Sequence, residues 1–540
     1  MLLSLLVAFL FLRTVFWFVT FPNPDEAYYW LWGQHPGLSY YDHPPLHAWI
    51  QGFFTVTLGR SNFVLRLPNL LSNGLFFYTY YRITQYLYGQ NKQRYFWITV
   101  MLILASPLYF LFLALAWHDH WLITFSLIAS YQYVRFLDSY LADGRGESKW
   151  LYGAAIALGL ALLCKYNAVF VLAGFIATVM ADARLRSLWR DRRIYAAGAI
   201  VASALLPILL WNFSNHFQSF QYYFNRSVNT GGFSLKLFPF INFVLFSYLT
   251  VSPVNWFAFI RVLKRPDPKI QNFSVYPQLA FWVFILSTLA LTIISLLSAA
   301  LYYWNITAYL LLFPLAAGVF VSKGKRVGGV GDDEGDGEVG GDGGVGGEKA
   351  SSFPTLPTSP SLSSLPTSPA SPLPSLPTSP LLLTGQLYGL LFALVLVVHY
   401  SFLPLSALGS RTEDPDSRML FGWGQVQVAV DREMGELNQP FLVTSDYRSA
   451  SALAYQLDNS GVMAVSDRID QFDFWYTSDR PFKGRDAVIV VDDWHPILPE
   501  FLAQFERTTI PTTVPVTRFG IWIKNYYVLR AYGFKGGRVS

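Results

Sequence analysis

Four short segments carry side chains that can do chemistry. Residues 21–50 read FPNPDEAYYWLWGQHPGLSYYDHPPLHAWI. Asp25 and Glu26 stand side by side just after an apolar run, and Asp42 and His43 follow closely. A carboxylate can take a proton from an acceptor hydroxyl in a group transfer. Carboxylates at a membrane boundary are costly and usually functional. The neighbouring Tyr28, Tyr29, Trp30 and Trp32 suit an interfacial aromatic girdle, a role that does not explain the carboxylates. The second segment is ALAWHDHWLIT, residues 114–124. His118, Asp119 and His120 allow a metal site, a polar site role for Asp119, or an interface anchor. Successive helical residues point different ways, which counts against one ion taking all three. In the third, Cys164-Lys165-Tyr166-Asn167, Lys165 either snorkels to the interface or meets an anionic phosphate. In the fourth, FVLRLPNLLSN, Arg66 sits inside an apolar run, which favours an ion pair or a phosphate contact. Weaker groupings are His216, Gln221, Tyr222, Tyr223, Asn225 and Arg226, and Tyr302, Tyr303, Trp304 and Asn305.

The elements that must position these groups are membrane spans. The 540 residues are 53% hydrophobic and only 14% charged, against roughly 25% charged in a soluble domain. That excludes a disordered chain and an ordinary cytosolic enzyme. One cysteine, Cys164, excludes a disulfide framework and a cysteine-based zinc site. The net charge of +5 sits in short loops and is no sign of nucleic-acid binding. A span needs roughly 20 apolar residues. Eleven are read, at about 2–20, 63–81, 95–115, 121–138, 150–164, 167–181, 194–212, 237–260, 276–298, 306–322 and 382–403. The short fifth and sixth also fit a re-entrant pair. The first lacks a basic start and a small-residue cleavage site, so it reads as an uncleaved anchor rather than a signal peptide. Basic residues concentrate in alternate loops, including Arg184, Arg186, Arg190, Arg192 and Arg193. The positive-inside rule then puts the N-terminus in the cytoplasm. Loops 21–62, 114–120, 213–236 and 299–305 fall on the outer face with everything after 403.

Residues 323–381 are Gly-rich and acidic, then repeat PTSP. Such composition cannot bury a core and reads as a disordered cytoplasmic linker. From 404 to 540 the apolar runs shorten to strand length, as in PFLVTS (440–445), AVIVVDD (487–493) and FGIWIKNYYVL (519–529), with a helical SASALAYQL (449–457) between. This predicts a small soluble α/β domain, either a structural cap or a substrate-contacting part.

The motifs DEAYYW (25–30) and YYDHPPLHAW (40–49) resemble the bacterial members of the dolichyl-phosphate-mannose–protein mannosyltransferase superfamily, in particular its ArnT-like subgroup. Arg66-Leu67-Pro68, Asp119, Cys164-Lys165-Tyr166 and Trp304-Asn305 are similar too, as are GWG (422–424), YRSASALAY (447–455) and DQFDFW (470–475) in the tail. The likeness covers 1–322 and 382–540. Its first-loop motif is specific, and the others support it in combination. It implies a GT-C fold and transfer of a monosaccharide, with inversion, from a polyprenyl-phosphate sugar. Asp25 matches the essential loop-one aspartate of the family, with Glu26 beside it, and Asp119 matches the second acidic position. Where aminoarabinose transferases have Glu-Lys-Pro-Pro, this chain has Asp42-His43-Pro44-Pro45, so a permanent charge near the donor phosphate is missing. That departure bears on which sugar and acceptor are used, not on the reaction class.

The combined expectation is a polytopic helical membrane protein of the GT-C class, with about eleven spans and the soluble α/β domain. It is an inner- or plasma-membrane glycosyltransferase with its site on the extracytoplasmic face. Asp25, Glu26 and Asp119 are its candidate catalytic residues. Arg66, Lys165, His43, Asp42 and Tyr41 are candidates to hold donor and phosphate. The partners are a polyprenyl-phosphate sugar, a lipid, glycan or protein acceptor, and the bilayer. No metal, cofactor or nucleic acid is expected. The alternative is a flippase of lipid-linked sugars. It would fit internal repeats and midplane polar helices, but no repeat is visible and the polar groups cluster on one face.

Overall fold

A computed structural model describes residues 2–227, 235–264, 274–321, 379–435, 437 and 440–537. The expected linker lies outside the described residues except for its last three. Chain order begins with α1 (Leu2–Val19), α2 (Pro24–Gln34), α3 (Leu46–Leu58) and α4 (Asn62–Tyr88). It continues through α5 (Lys92–Leu104), α6 (Pro107–Ala114), α7 (Asp119–Asp143), α8 (Ser148–Cys164) and α9 (Val169–Ala181). Next come α10 (Arg192–Ala204), α11 (Leu206–Ser214), α12 (Gln218–Ser227), α13 (Leu237–Val251) and α14 (Pro253–Lys264). The helical part closes with α15 (Tyr276–Leu297), α16 (Leu312–Phe320) and α17 (Pro380–Val397).

Among the described residues, two helices are long and apolar enough to cross a bilayer alone, and six bent pairs bring the number to as many as eight. The eleven spans read from sequence exceed this number because α7 and the shorter α8 fall outside it and the expected 63–81 and 95–115 join in one bent pair; other expected spans are bent within themselves. The expected 95–115 breaks at Pro107, 194–212 at Pro207 and 237–260 at Pro253, each proline opening the second helix of its pair. Proline has no N–H to give the preceding turn and its ring clashes there. The breaks free backbone carbonyls in a place without water, where each must find a donor. Buried tyrosines serve another bent pair, Tyr302–Tyr309 with Leu312–Phe320, in this way. Tyr80 donates to the Leu310 carbonyl (2.8 Å), Tyr109 to Ile306 (2.6 Å) and Tyr88 to Pro314 (3.1 Å). These carbonyls belong to the irregular stretch around residues 302–320.

The C-terminal part contains α18 (Trp423–Met434), β1 (Phe441–Thr444), α19 (Tyr447–Leu457), β2 (Met463–Ala464), α20 (Phe472–Trp475) and β3 (Ala487–Asp492). After these come α21 (Pro499–Leu502), β4 (Phe505–Thr508), β5 (Thr512–Arg518) and β6 (Ile521–Phe534). The sheet order is β2-β1-β3-β6-β4, with β5 also on β6. Strands β2, β1 and β3 are parallel, and β6 runs antiparallel to β3. FLVT and AVIVVD are buried at every position, as expected for parallel strands covered on both faces.

This domain sits on the first loop. Trp30 and Trp32 are each 2% exposed and share a core with Val426, Leu453 and Tyr455. Trp30 meets Tyr455 edge-on at 5.2 Å, and Tyr455 donates to Asn62 Oδ1 (3.0 Å). The aromatic run expected as a membrane girdle is therefore an interdomain core. Beneath it, α2 and α3 cross at Gly33 and Gly52. A Cβ on either residue would lie 2.6 Å from the other's backbone, so only glycine permits this crossing, which folds the 35–45 loop back over α2.

Candidate active site

The site grows from the first turn of α2. Asn23 caps it, accepting from the Asp25 N–H (3.1 Å), while Glu26 accepts from the Asn23 N–H (2.8 Å). Such a box fixes the turn and sends successive side chains about 100° apart. Glu26 points inward and is fully buried. Arg66 grips it with Nε (3.0 Å) and Nη2 (2.7 Å), and the Ala116 N–H adds a third bond (2.7 Å). The remaining arginine nitrogen donates to the carbonyls of Phe16, Trp17 and Thr20. Glu26 and Arg66 thus clamp α1, α2, α4 and the 115–118 turn together. Neither faces the cavity, unlike the sequence expectation for both.

Asp25 faces the other way, half-buried, into a cavity of about 340 Å³. Burial, reinforced by Asp416, pushes its carboxyl up to about 6, against the opposing pull of Arg448 and Arg468. Asp42 and His43 line the same cavity. Asp42 accepts from Tyr28 (3.0 Å) and from Arg468 (3.2 Å). The Tyr223 hydroxyl on α12 donates to the Asp42 carbonyl and lies 2.9 Å from His43 Nδ1. Lys165 reaches the wall from the end of α8, its ammonium 2.9 and 3.0 Å from the two Asp119 oxygens and 5.2 Å from the Tyr303 ring centre. Asp119 itself is fully buried behind Lys165 and off the cavity wall. Tyr41 is also off it, clamped between the rings of Tyr222 (5.0 Å) and Phe474 (5.4 Å).

His118 Nε2 lies 3.2 Å from Asp119 Oδ2, and only His120 turns away from the other two. His118 lines the cavity, Asp119 meets Lys165, and His120 Nδ1 meets Ser72 (2.7 Å). Among the described residues no three His, Cys, Asp or Glu side chains converge as for a metal.

Three lining residues come from the tail: Tyr447, Arg448 and Arg468. Tyr447 donates to Asp25 Oδ1 at 3.5 Å, and Arg448 Nε donates to the Tyr447 hydroxyl at 3.3 Å. Site assignment from the sequence passed over these residues. The available signal was Asp446 capping α19 just past β1, the strand-end position where α/β folds usually place ligand contacts. The opposite wall is apolar, with Val169 and Phe170 of α9 and Leu291 and Ile294 of α15.

Two solved structures match this architecture over 97% of both chains. They are ArnT from Cupriavidus metallidurans in the apo state, with TM-score 0.57, and ArnT bound to undecaprenyl phosphate, with TM-score 0.58, each at 14% identity. The chain has the ArnT-like GT-C fold. Residues 42–211 match the sequence model of the dolichyl-phosphate-mannose–protein mannosyltransferases. That segment holds Asp42, Arg66, Asp119 and Lys165 and leaves out Asp25 and the tail. The lipid A galacturonosyltransferase RgtD of Rhizobium johnstonii (strain DSM 114642 / LMG 32736 / 3841) is 25% identical over 298 residues, 53% of this chain and 58% of RgtD. The match thus spans less than two thirds of that relative. In the ArnT-like frame the cavity has a polar half, shared by the first loop and the tail domain, and an apolar half between α9 and α15.

Proposed function

We propose that this chain is an inverting membrane glycosyltransferase that moves a monosaccharide from a polyprenyl-phosphate donor to a lipid acceptor. The observation that carries the reading is one cavity lined by both the Asp25 carboxylate and Lys165, beside an apolar wall. The acceptor hydroxyl gives its proton to Asp25 as its oxygen attacks the anomeric carbon. The bond from that carbon to the phosphate oxygen breaks on the opposite face, and the electron pair leaves with the polyprenyl phosphate. Positive charge fixed at the leaving group stabilises that step directly. Lys165 supplies it, with His43, Arg448 and Arg468 in reach of the same cavity. Asp119 holds Lys165 rather than touching substrate. Asp42 orients Arg468, and Glu26 and Arg66 hold Asp25's helix turn in place. The apolar residues of α9 and α15 take the start of the prenyl chain. The relatives support a lipid on both sides: ArnT is seen bound to undecaprenyl phosphate, and RgtD is a lipid A galacturonosyltransferase.

The test is incubation of purified protein with a panel of labelled polyprenyl-phosphate sugars and an envelope lipid extract. One donor should yield labelled lipid in step with released polyprenyl phosphate. Donor binding and translocation without new glycolipid would favour the flippase instead. The site is assigned to the extracytoplasmic face of the plasma membrane, on the strength of the basic residues at 184–193 at the other end of the bundle. A single cysteine replacing the exposed Asn459, in a Cys164→Ser background, should be labelled by an impermeant reagent in intact cells. Labelling only after lysis would reverse the orientation.

A further inference from the structure

A second hollow lies at the far end of the helices that build the first. Asp119 opens α7 beside the active site, and Tyr133 is 14 residues along it, roughly 21 Å away. Tyr133 lines a separate hollow of about 460 Å³ bounded by α8, α9 and α10. Its wall is almost wholly apolar, with Leu158, Phe175, Ile176 and Val201 among its residues. The Tyr133 hydroxyl turns to the Phe175 carbonyl (3.4 Å), so it offers nothing polar to an occupant. Water has no partners in such a space, and an empty space costs its lining the dispersion contacts of a filled one. In a bilayer the filler at hand is hydrocarbon.

The rim says which hydrocarbon. The 3-10 turn Ala183–Arg190 bends 110° away from α9 and buries Leu185 and Leu188. Leu188 and Trp189 belong to the hollow's wall, while Arg184, Arg186 and Arg190 face outward, exposed. Apolar and basic faces on one short element are the mark of an interfacial segment. Trp189 and Tyr195 stand at the mouth, 40% and 62% exposed, the amphipathic ring types of the headgroup level. Five arginines surround them, and two are neutralised: Arg184 by Asp182 (2.7 Å) and Arg193 by Asp191 (2.6 Å). Among the described residues, Arg186, Arg190 and Arg192 make no ion pair or side-chain hydrogen bond and are exposed. An apolar hollow under three uncompensated cations is complementary to one kind of molecule.

We infer that this hollow binds one anionic phospholipid, with an acyl chain among α8, α9 and α10 and its headgroup on Arg186, Arg190 and Arg192. The occupant is distinct from the glycosyl donor, and the inference does not depend on the proposed reaction.

Gly198 makes the hollow testable. It stands on the α10 wall, and a Cβ there would meet no atom within 4 Å. A Cβ thus has room at this wall, and Gly198→Phe is the variant chosen to obstruct the hollow. Gly74, on α4 away from it, is equally open, and Gly74→Phe is the control. The probe is the full-length protein in detergent, titrated with phosphatidylglycerol or phosphatidylcholine, read by native mass spectrometry and by Tm. Wild type and Gly74→Phe should retain one phosphatidylglycerol and gain about 3 °C in Tm. Phosphatidylcholine should do neither. Gly198→Phe should lose both effects. An Arg186→Gln, Arg190→Gln, Arg192→Gln variant, which leaves the hollow intact, should need at least about tenfold more phosphatidylglycerol. Equal retention of both lipids, phosphatidylglycerol retained unchanged in Gly198→Phe, or its displacement by undecaprenyl phosphate would each overturn the inference.

Discussion

Two buried carboxylate–cation pairs flank the same cavity, and they differ in who else can reach the cation. In Glu26–Arg66 every guanidinium nitrogen is spent on protein oxygens, across four chain segments. In Asp119–Lys165 the ammonium meets Asp119 with its back and a ligand cavity with its front. The first pair is closed and can only hold the fold. The second has its cation on the wall of the ligand cavity. Desolvation, the largest cost of any buried pair, is met in both. Accessibility, not burial or pairing, separates a brace from a binding group.

The largest effect expected belongs to neither pair but to the carboxylate between them. Asp25→Asn keeps the shape and removes the base, and it should cut transfer by about 10²–10⁴ with donor binding retained. Turnover near wild type would end its role as base. The raised carboxyl also sets a pH profile. Below about 6 Asp25 is protonated and cannot accept, so kcat/KM should fall about tenfold per pH unit on the acid side and level off above. The sign for stability is opposite. A carboxyl that holds its proton more tightly folded than unfolded contributes stability at low pH, lost as pH rises through about 6. Asp25→Asn should therefore melt higher than wild type at pH 7 and equal to it below pH 4.

The two pairs should then separate by readout. Arg66→Ala leaves Glu26 buried and uncompensated, at a cost of about 3–5 kcal/mol. It should appear as lost folded yield and Tm, with near-normal KM in what survives. Lys165→Ala removes one charge-assisted contact of about 1.5–3 kcal/mol. The donor's KM should rise roughly ten- to a hundredfold while acceptor KM changes little; Tm falls here too, since Asp119 loses its buried partner, so the KM split and not Tm marks this pair. Titration of both substrates for each variant decides it. Equal donor and acceptor effects for Lys165→Ala would make it a brace as well.

The sequence shows where charge stands but not which way it faces. Asp25 and Glu26 are adjacent and look equivalent. Only the 100° step of the helix and the position of Arg66, 40 residues on, assign one to the cavity and the other to the interior. Arg66 was legible as an intramembrane cation but not its partner, since a phosphate and a carboxylate satisfy it alike. The strands of the tail were legible because apolar runs of strand length have few other uses, and β1 and β3 fall within the expected segments. The bends were written at Pro107, Pro207 and Pro253 but are easily passed over, because apolar composition continues through them. Arg448 and Arg468 were hidden for another reason. They are ordinary surface arginines until a domain interface more than 400 residues away in sequence puts Asp25 and Asp42 opposite them.

That interface suggests the smallest effect, and it sharpens the comparison by offering a pair that is half open. A line of contacts crosses the tail domain. Lys524 Nζ lies 2.5 Å from Asp492 Oδ2, and Asp492 Oδ1 lies 3.0 Å from His495 Nδ1. His495 Nε2 is 3.3 Å from Glu413, which is 3.5 Å from Arg448. Burial opposes ionisation of Asp492, but Lys524 and His495 outweigh it and hold the carboxyl below the usual range. The bond to Asp492 in turn raises His495. The line ends at Arg448, Tyr447 and Asp25, where Tyr447 donates to the carboxylate. A donor to a carboxylate favours its charged form, so Tyr447→Phe should move the acid limb of the pH profile to higher pH by a few tenths. Its kcat should fall about fivefold, the worth of one hydrogen bond. Glu413 is 41% exposed at its side chain, so Glu413→Gln should cost no more than about 1 kcal/mol, a two- to fivefold loss in kcat at constant donor KM. A Tyr447→Phe profile superimposable on wild type would show that the tail covers the site without tuning it.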